Sequence, residues 1–568
     1  MGSPPKVDPP LAEIPVGRAY FLKRASAVSK PKMRTRHSTL DTRHSTKGIV
    51  YLVGAGPGDP KLITVRGLEL LTRAEVVVYD HLVSERLLES CQPDTKIVYV
   101  GKEKDRHTKS QEAITRLLVR DAKAGKIVVR LKGGDPVLFG RGGEEALALA
   151  QARIPYEIVP GVTSALAVPA YAGIPVTHRR VSSSVAIVTG HEDSSKLDAS
   201  VAWDKLATAT DTLVCLMGVG ALADIAKRLI RQGRAKRTPC AVIEWGTWPQ
   251  QRTVVGTLAT IAKRCEAAYV KPPAVVVVGE VVRLREQLAW VERKPLFGKR
   301  IAVTRPSDRA EQLAELLEEF GAEVIRLPAI KLAPVKLNGV FDRTMREIDQ
   351  FDWVFFTSPE GIHWFQRLLH AHRRDLRILY GRHIGAIGPK TAASIQRLGI
   401  HVDFIPSTFS QEGILEGLKS RTLTGKQALI LSALESRDVL EQGLKRQGVK
   451  VRRLPIYHTT IPPALTAQIR RLLSRPVDLV TVTSASCVDH VIGAMRSCGL
   501  AGAIRDLRFA SIGPVTSETV RRHGGRVVME ARTSTIEGLV EVIVEQASQR
   551  GGRRRAIPQL STAQASAE

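Results

Sequence analysis

The feature that most constrains the fold is the segment at residues 127–145, which reads IVVRLKGGDPVLFGRGGEE. Its apolar beginning predicts a buried β-strand, its five glycines predict a loop, and Glu144 opens a helical pattern of Glu, Ala and Leu. Glycine adopts positive φ and lets backbone amides approach a ligand without intervening side chains. A plain turn between a strand and a helix needs only one or two glycines. The segment therefore predicts a ligand site in an α/β domain.

A second glycine loop opens the part of the chain that we expect to be ordered, from Gly48 onward. An apolar strand at residues 49–53 leads into GAGPGDP at residues 54–60. The glycines are spaced GxGxG rather than GxGxxG, and two prolines interrupt them. The dinucleotide fingerprint therefore fails at its third glycine, and we do not predict an NAD site here.

Charged side chains follow three predicted strands of this region. Asp80 ends VVVYD, Lys102 follows an apolar strand ending at Val100, and Asp135 follows the strand of the long glycine segment. In open α/β sheets, ligands bind outside the carboxyl ends of the strands. We expect the two carboxylates and the ammonium group to lie on one rim of the sheet.

A second α/β lobe is predicted after a short strand at residues 156–159. Thr163 and Ser164 then begin a helix of small residues, and two interpretations stay open: their hydroxyls cap the helix, or they bind the ligand. The later strands of this lobe are predicted at residues 185–188, 212–217, 241–244 and 274–278.

The chain repeats itself in its second half. Three segments recur with offsets of 127, 126 and 125 residues: GAEVIRLPAI at 321 and GVKVRRLPIY at 448, TSPEGI at 357 and TSASCV at 483, IGPKTAASIQRLG at 387 and IGPVTSETVRRHG at 512. A duplication whose copies alternate strands and amphipathic helices predicts two doubly wound α/β domains with a cleft between them. The hydroxyls and free amides at these helix starts suit carboxylate ligands, although N-capping alone explains any single one.

The charge of the chain suggests the kind of partner. The net charge is +28, from 84 Lys and Arg against 56 Asp and Glu. Part of the excess lies in two tails, residues 1–47 and 549–568, which we expect to be disordered. The rest fits a polyanionic substrate or nucleic acid, and an arginine-rich proteome explains it equally well. The basic leader also permits a transit peptide.

Cysteine spacing and hydropathy limit the compartment. The six cysteines form no CxxC pair, which disfavours a disulfide framework or a zinc site. No apolar run approaches the roughly 20 residues that span a bilayer, and the N-terminus has no signal-peptide core. We predict a cytoplasmic protein with no membrane span.

The motifs of the first half resemble uroporphyrinogen-III C-methyltransferase, which uses S-adenosyl-L-methionine (SAM). They are GAGPGD, VYDHLV, VGK, RLKGGDPVLFGRGGEE, PGVTSALAVPAYAGIPVTHR and EWGTWPQQR. The resemblance implies two α/β lobes with SAM in the cleft between them, usually in a homodimer. It implies Asp80 as proton acceptor and Lys102 as proton donor. The implied SAM-binding residues are Pro57, Gly133, Gly134, Asp135, Leu138, Thr163, Ser164, Met217 and Gly246.

Two positions depart from the methyltransferase pattern. Asp105 stands where a glycine is common, and Val137 replaces an aromatic residue. These departures affect loop detail. The chemistry itself needs no metal, because an electron-rich pyrrole carbon attacks the sulfonium-bound methyl group directly and leaves one proton to an acid/base pair.

The second half resembles uroporphyrinogen-III synthase, which converts hydroxymethylbilane to uroporphyrinogen III with inversion of ring D. The resemblance implies that Tyr457 assists loss of the ring-A hydroxyl, although Tyr457 is also explained as a packing residue at a strand end. The implied substrate-binding residues are Ser358, Thr391, Ser484 and Thr516.

Together the two resemblances predict a bifunctional enzyme with a two-lobed tetrapyrrole-methyltransferase fold followed by a duplicated two-domain α/β synthase. Its first half would methylate uroporphyrinogen III at C2 and C7 to precorrin-2. Both substrates are polycarboxylates, which gives the basic excess a specific partner and makes nucleic acid the weaker hypothesis. Two alternatives stay open: methylation of a different precorrin, and a second half that only binds tetrapyrrole. The predicted domains are residues 48–290 and 300–548, joined by a linker at 291–299.

Overall fold

The computed structural model describes residues 48–101, 110–190, 201–305 and 307–550. Four five-stranded sheets, two in each half of the chain, carry the architecture. The predicted basic tails at residues 1–47 and 551–568 lie outside the described residues. Within the described ranges, no helix has both the length and the apolar character needed to cross a membrane.

The described residues of the first half form ten strands: β1 (Ile49–Gly54), β2 (Val76–Tyr79), β3 (Lys96–Tyr99), β4 (Ile127–Lys132), β5 (Tyr156–Val159), β6 (Val185–Thr189), β7 (Thr212–Leu216), β8 (Pro239–Glu244), β9 (Arg252–Thr257) and β10 (Ala274–Val278). The first lobe has a parallel sheet of order β3-β2-β4-β1-β5. The second lobe has a mixed sheet of order β6-β7-β10-β8-β9, in which only β6 and β7 are parallel.

Among the residues that the structure describes, eight α-helices accompany these strands: α1 (Val65–Leu71), α2 (Gln111–Lys123), α3 (Gly142–Gln151), α4 (Ser164–Tyr171), α5 (Trp203–Ala209), α6 (Leu222–Arg231), α7 (Ile261–Ala267) and α8 (Arg285–Leu288). Helix α2 shows why they form. Ser110 accepts a hydrogen bond from the amide of Ala113 at its start, and Ile114 and Leu118 lie buried one turn apart on its inner face. Helices on both faces explain the near-continuous apolar runs of the parallel strands.

The predicted strands of the first half are present, with ends that differ by one or two residues. Strand β9 is not among the strands predicted from the sequence. This strand is an edge strand with no fully buried residue, so its apolar signal is weak.

In the second half, residues 300–305 and 307–550 contain another ten strands: β11 (Arg300–Val303), β12 (Glu323–Arg326), β13 (Lys331–Pro334), β14 (Trp353–Phe356), β15 (His383–Ala386), β16 (Gln427–Ala433), β17 (Lys450–Thr460), β18 (Leu479–Val482), β19 (Arg508–Ser511) and β20 (Arg526–Glu530). Its helices are α9 (Ser307–Glu319), α10 (Val340–Arg346), α11 (Pro359–Ala371), α12 (Pro389–Gln396), α13 (Gln411–Leu418), α14 (Val439–Arg446), α15 (Leu465–Leu473), α16 (Ala485–Ser497), α17 (Pro514–Arg522) and α18 (Ile536–Arg550).

The two sheets of this half mix strands of the two sequence repeats. One sheet has the order β12-β11-β18-β19-β20 and the other β13-β17-β16-β14-β15. Equivalent strands of the two repeats hold equivalent places in the two sheets. Strands β12 and β11 of the first sheet correspond to β17 and β16 of the second, and β18 and β19 correspond to β14 and β15. Each lobe therefore combines one part of each repeat. The duplication predicted two α/β domains. The structure has two α/β lobes, but neither lobe corresponds to one sequence repeat.

Candidate active sites

Asp80 lies at the carboxyl edge of the first sheet, beside the long glycine loop. Strands β2 and β4 are parallel, with Tyr79 opposite Leu131, so the segments after them leave the sheet side by side. The amide of Leu82 donates to Asp80 Oδ1 at 3.2 Å. A Cβ atom on Gly133 would lie 2.6 Å from Leu82 Cβ. Glycine at 133 therefore permits the Asp80 turn to pack directly against the loop.

A cluster of buried charged side chains contacts Asp80. Arg130 Nη2 donates to Asp80 Oδ2 at 3.1 Å, and Arg130 Nε donates to Glu145 Oε1 at 3.3 Å. Lys132 Nζ lies 3.2 Å from Glu145 Oε2, and Glu145 is fully buried. Burial, followed by the charge of Arg130, lowers the pKa of Lys132. The cluster holds the Asp80 carboxylate in a fixed orientation.

Arg130, Lys132 and Glu145 are not among the site residues predicted from the sequence. The available signal was the presence of two cations in a strand that is otherwise apolar, since a buried strand carries charge only where a partner compensates it. The partner itself is not visible in the sequence pattern, because Glu145 resembles its exposed neighbour Glu144.

Lys102 and Asp105 lie outside the described residues. The strand that precedes them, β3, lies within the described residues. It runs parallel to β2, with Tyr99 opposite Tyr79, and the amide of Val100 donates to the carbonyl of Tyr79 at 2.9 Å. The chain therefore leaves the sheet next to Asp80, and the pairing of Asp80 with Lys102 stays a prediction.

Asp135 organises the glycine loop. Its Oδ1 accepts from the amides of Val137 and Leu138 at 2.9 and 3.0 Å, and its Oδ2 accepts from the amide of Gly161 at 3.1 Å. These three bonds tie the loop after β4 to the turn after β5. Next to it, Gly134 has φ of +70°, a conformation that favours glycine.

Other predicted cofactor residues lie where the two lobes meet. Thr163 accepts from the amide of Ala165 at 3.3 Å, so it caps α4, of which Ser164 is the first residue. A Cβ atom on Gly246 would lie 2.2 Å from Val168 Cγ1, so glycine lets the loop after β8 pack on α4. Met217, which follows β7, is 53 % exposed.

Two polar contacts fix the width of the cleft between the lobes. Trp248 Nε1 donates to the carbonyl of Pro57 at 3.2 Å, and the Tyr171 hydroxyl donates to Asp59 Oδ2 at 2.9 Å. Burial and the charge of Asp59 raise the pKa of Tyr171. Aromatic side chains line the cleft near Asp80: Tyr79, Tyr99, Trp245 and Trp248.

These residues fit SAM in three respects. The glycine loop presents backbone at Gly134, where a Cβ atom would have no neighbour closer than 3.7 Å. Leu138 packs against the buried core of the second lobe, which brings the loop after β4 to that lobe. Val137 and Met217 leave apolar surface exposed on the loops after β4 and β7, and apolar surface of this kind commonly marks a ligand site.

The second half has its own cleft between its two sheets. A cavity of about 410 Å³ is lined by Thr357 and Tyr457 from one lobe and by Thr483 and Ser484 from the other. The Tyr457 hydroxyl lies 2.8 Å from Ser358 Oγ. The structure thus brings three of the predicted residues, Ser358, Tyr457 and Ser484, to one cleft.

Thr391 and Thr516 are placed differently. They occupy equivalent positions in the first turns of α12 and α17, where they are 2 % and 5 % exposed. Neither lines the cavity between the two sheets of the second half. Both lie on the buried face of their helix, as the burial of Ile395 and Val520 one turn later shows. Direct substrate binding by these two hydroxyls stays a prediction that their burial does not favour.

Comparison with known proteins agrees with this division. A family model of tetrapyrrole (corrin/porphyrin) methylases matches residues 49–262, and a model of uroporphyrinogen-III synthase HemD matches residues 311–541. A porphyrin biosynthesis protein HemD of Ruminiclostridium josui is 37 % identical over 500 residues, covering 88 % of this chain and 98 % of the relative.

Two further relatives match the first half alone. An S-adenosyl-L-methionine-dependent uroporphyrinogen III methyltransferase of Methanosarcina barkeri is 52 % identical over 241 residues, covering 42 % of this chain and 94 % of that protein. A solved structure of uroporphyrin-III C-methyltransferase from Thermus thermophilus, complexed with S-adenosylhomocysteine, is 45 % identical, with a TM-score of 0.36, and covers 42 % of this chain and 94 % of its own.

Fold and sites define a tetrapyrrole enzyme with two α/β parts. The chain belongs to the family of fusions that join a uroporphyrinogen-III C-methyltransferase to a uroporphyrinogen-III synthase. The resemblance seen in the sequence motifs is confirmed.

Proposed function

We propose that the second half cyclises hydroxymethylbilane to uroporphyrinogen III with inversion of ring D, and that the first half methylates this product at C2 and C7 to precorrin-2. The observation that carries the proposal is the presence of two separate sites in one chain: Asp80 in an aromatic cleft, and Tyr457 beside Ser358 in a polar one. The cofactor is SAM.

In the methyltransferase half, Asp80 acts as proton acceptor. The substrate ring that gains a methyl group becomes cationic and must lose one proton. Asp80 lies in the cleft where the aromatic walls hold that ring, and Arg130 keeps its carboxylate oriented. A positioned base of this kind contributes about 10²- to 10⁴-fold to a rate.

SAM supplies an electrophilic methyl group when bound. The chain would hold it with the loop after β4, the start of α4 and the second-lobe loops, that is with Pro57, Gly133, Gly134, Asp135, Leu138, Thr163, Ser164, Met217 and Gly246. Asp135 acts by shaping the loop, because its carboxylate is already bonded to three amides. Lys102 is proposed as the proton donor.

In the synthase half, Tyr457 donates a proton to the departing ring-A hydroxyl, which leaves as water. Ser358 keeps the phenol oriented, since the two oxygens lie 2.8 Å apart. Substrate carboxylates would bind at the helix starts around the cleft, where Ser484 caps α16.

Incubation of the full chain with hydroxymethylbilane and SAM tests the whole proposal. The expected product is the type III isomer with two methyl groups. The variant Tyr457→Phe should form type III product about 10²-fold more slowly, while it still methylates uroporphyrinogen III supplied directly. Tyr380→Phe is the matched control, because Tyr380 is 90 % exposed.

Two results would contradict the proposal. Formation of the type I isomer alone by the unaltered chain would make the second half a binding module. Absence of methyl transfer to supplied uroporphyrinogen III would assign the first half to a different precorrin.

We also propose a homodimer formed through the methyltransferase half. Strand β5 is an edge of its sheet, and it exposes Tyr156 and Ile158, 40 % and 37 % accessible, next to exposed Val162 and Leu166. An exposed apolar strand edge favours association with another chain, and here that chain would be a second copy of the protein. Sedimentation of the unaltered chain should give twice the mass of one chain, and the variant Ile158→Lys should sediment as a monomer. Ile97→Lys, at the opposite edge on β3, should stay dimeric; a monomeric unaltered chain would refute the proposal.

A further inference from the structure

A cavity of about 780 Å³ lies where the two halves of the chain meet. The methyltransferase half contributes Asp80 and the aromatic walls around it. The synthase half contributes the end of α9, the start of β12 and two arginines, Arg471 and Arg475. A volume of this size is within the range of small-molecule sites. We call this space the inter-half chamber.

Packing fixes the two halves on either side of the chamber, because the predicted linker at residues 291–299 contacts both of them. On the methyltransferase side, Thr253 Oγ1 donates to Glu292 at 2.6 Å, and Trp290, the residue just before the linker, donates through Nε1 to the carbonyl of Ala170 at 3.0 Å. On the synthase side, Leu296 is buried in the core.

Ion pairs also cross between the halves. Arg86 Nη1 lies 2.7 Å from Glu318 Oε1, and both side chains are at least two-thirds buried. Arg471 Nη2 lies 3.3 Å from Glu85 Oε2, but these two side chains are 81 % and 65 % exposed. Exposed pairs contribute little, so an incoming anion can replace Glu85 on Arg471.

Arg475 is also paired with a glutamate, but with a less exposed one. Its Nη2 lies 3.3 Å from Glu323 Oε2, and the arginine side chain is 56 % exposed. Arg471 and Arg475 are one helical turn apart in sequence, at the end of α15 and in the loop after it. Two guanidinium groups therefore face the chamber. Arg471 has an exposed, replaceable partner, whereas Arg475 is paired with Glu323, whose side chain is 23 % exposed and also lies 3.4 Å from Arg300 Nε.

These arginines do not belong to the synthase site. They precede β18, whereas Thr483 and Ser484, which line the synthase cavity, follow it. The chamber and the synthase cavity thus lie at opposite ends of the same sheet. A product of the synthase must leave its cavity before it can enter the chamber.

We propose that Arg471 and Arg475 form a carboxylate-binding subsite that the synthase half supplies to the methyltransferase. The pyrrole rings of a polycarboxylate porphyrinogen would lie against the aromatic walls near Asp80. One peripheral carboxylate would displace Glu85 from Arg471, and another would bind the exposed side of Arg475. The planar guanidinium fork matches a carboxylate in two parallel hydrogen bonds. The inference rests on the proposed function of the Asp80 cleft.

The test is steady-state methylation of uroporphyrinogen III by the full chain at saturating SAM. The double variant Arg471→Ala, Arg475→Ala should raise KM for the porphyrinogen about 10- to 100-fold, with kcat and KM for SAM within about twofold. Conversion of hydroxymethylbilane to type III product should not change. Arg470→Ala is the matched control, since Arg470 is an exposed arginine of the same helix that does not line the chamber.

An unchanged KM for the porphyrinogen would overturn the subsite, and so would an equal rise for Arg470→Ala. The double variant Arg471→Lys, Arg475→Lys should give an intermediate KM, because lysine keeps the positive charge but lacks the planar guanidinium group. Failure of the proposed function is a separate result: the unaltered chain would then not methylate uroporphyrinogen III at all.

Discussion

Replacement of Asp80 by asparagine should lower the kcat of methylation about 10²- to 10⁴-fold and leave the formation of uroporphyrinogen III unchanged. Asparagine keeps the shape of the side chain and an oxygen that accepts from Arg130, but it cannot take up a proton. The measurement is the initial rate of each reaction with the same preparation of the full chain, with uroporphyrinogen III and hydroxymethylbilane supplied in turn.

The control for this variant is Asp94→Asn, at an exposed position of the same lobe. It should retain both activities. An equal loss of both activities in Asp80→Asn would argue against separate sites, and full methylation by Asp80→Asn would remove Asp80 from the mechanism.

Replacement of Glu145 by alanine should lower the free energy of unfolding of the methyltransferase half by about 3–5 kcal/mol. Glu145 is fully buried and is the shared carboxylate partner of Arg130 and Lys132, which are 4 % and 5 % exposed. Without it, the buried Lys132 loses its carboxylate partner, and Arg130 keeps only Asp80. Calorimetry of the full chain measures the effect, and the relevant transition is the one that added SAM shifts upward.

The adjacent residue provides the control for the stability experiment. Glu144 is paired with Arg141, but its side chain is 56 % exposed, so Glu144→Ala should cost less than about 1 kcal/mol. Equal shifts for the two variants would show that the buried cluster does not stabilise this half.

Much of the methyltransferase site follows from local sequence. The glycine loop, the strand before it and the helix after it are all adjacent in the chain, and the structure has them as β4, loop and α3. The position of Asp80 beside that loop follows from the rule that parallel strands end at one edge. The buried partners of Asp80 do not follow, because periodicity does not distinguish the buried Glu145 from the exposed Glu144.

The synthase half shows the same limit. The repeat correctly indicated equivalent helix starts at Ser358 and Ser484 and at Thr391 and Thr516. Whether a hydroxyl at such a start faces the cleft or the core depends on how its helix is rotated against the sheet, and only the first pair lies at the cleft.

The sequence by itself determined the two halves, the duplication in the second and the family, because strands, loops and motifs are encoded by neighbouring residues. Only the tertiary structure decided three things: the exchange of strands between the repeats, the charge cluster under Asp80 and the inter-half chamber. Each of these depends on contacts between residues that are not neighbours in the chain. Such contacts are selected by side-chain packing and charge compensation in three dimensions, which no local pattern records.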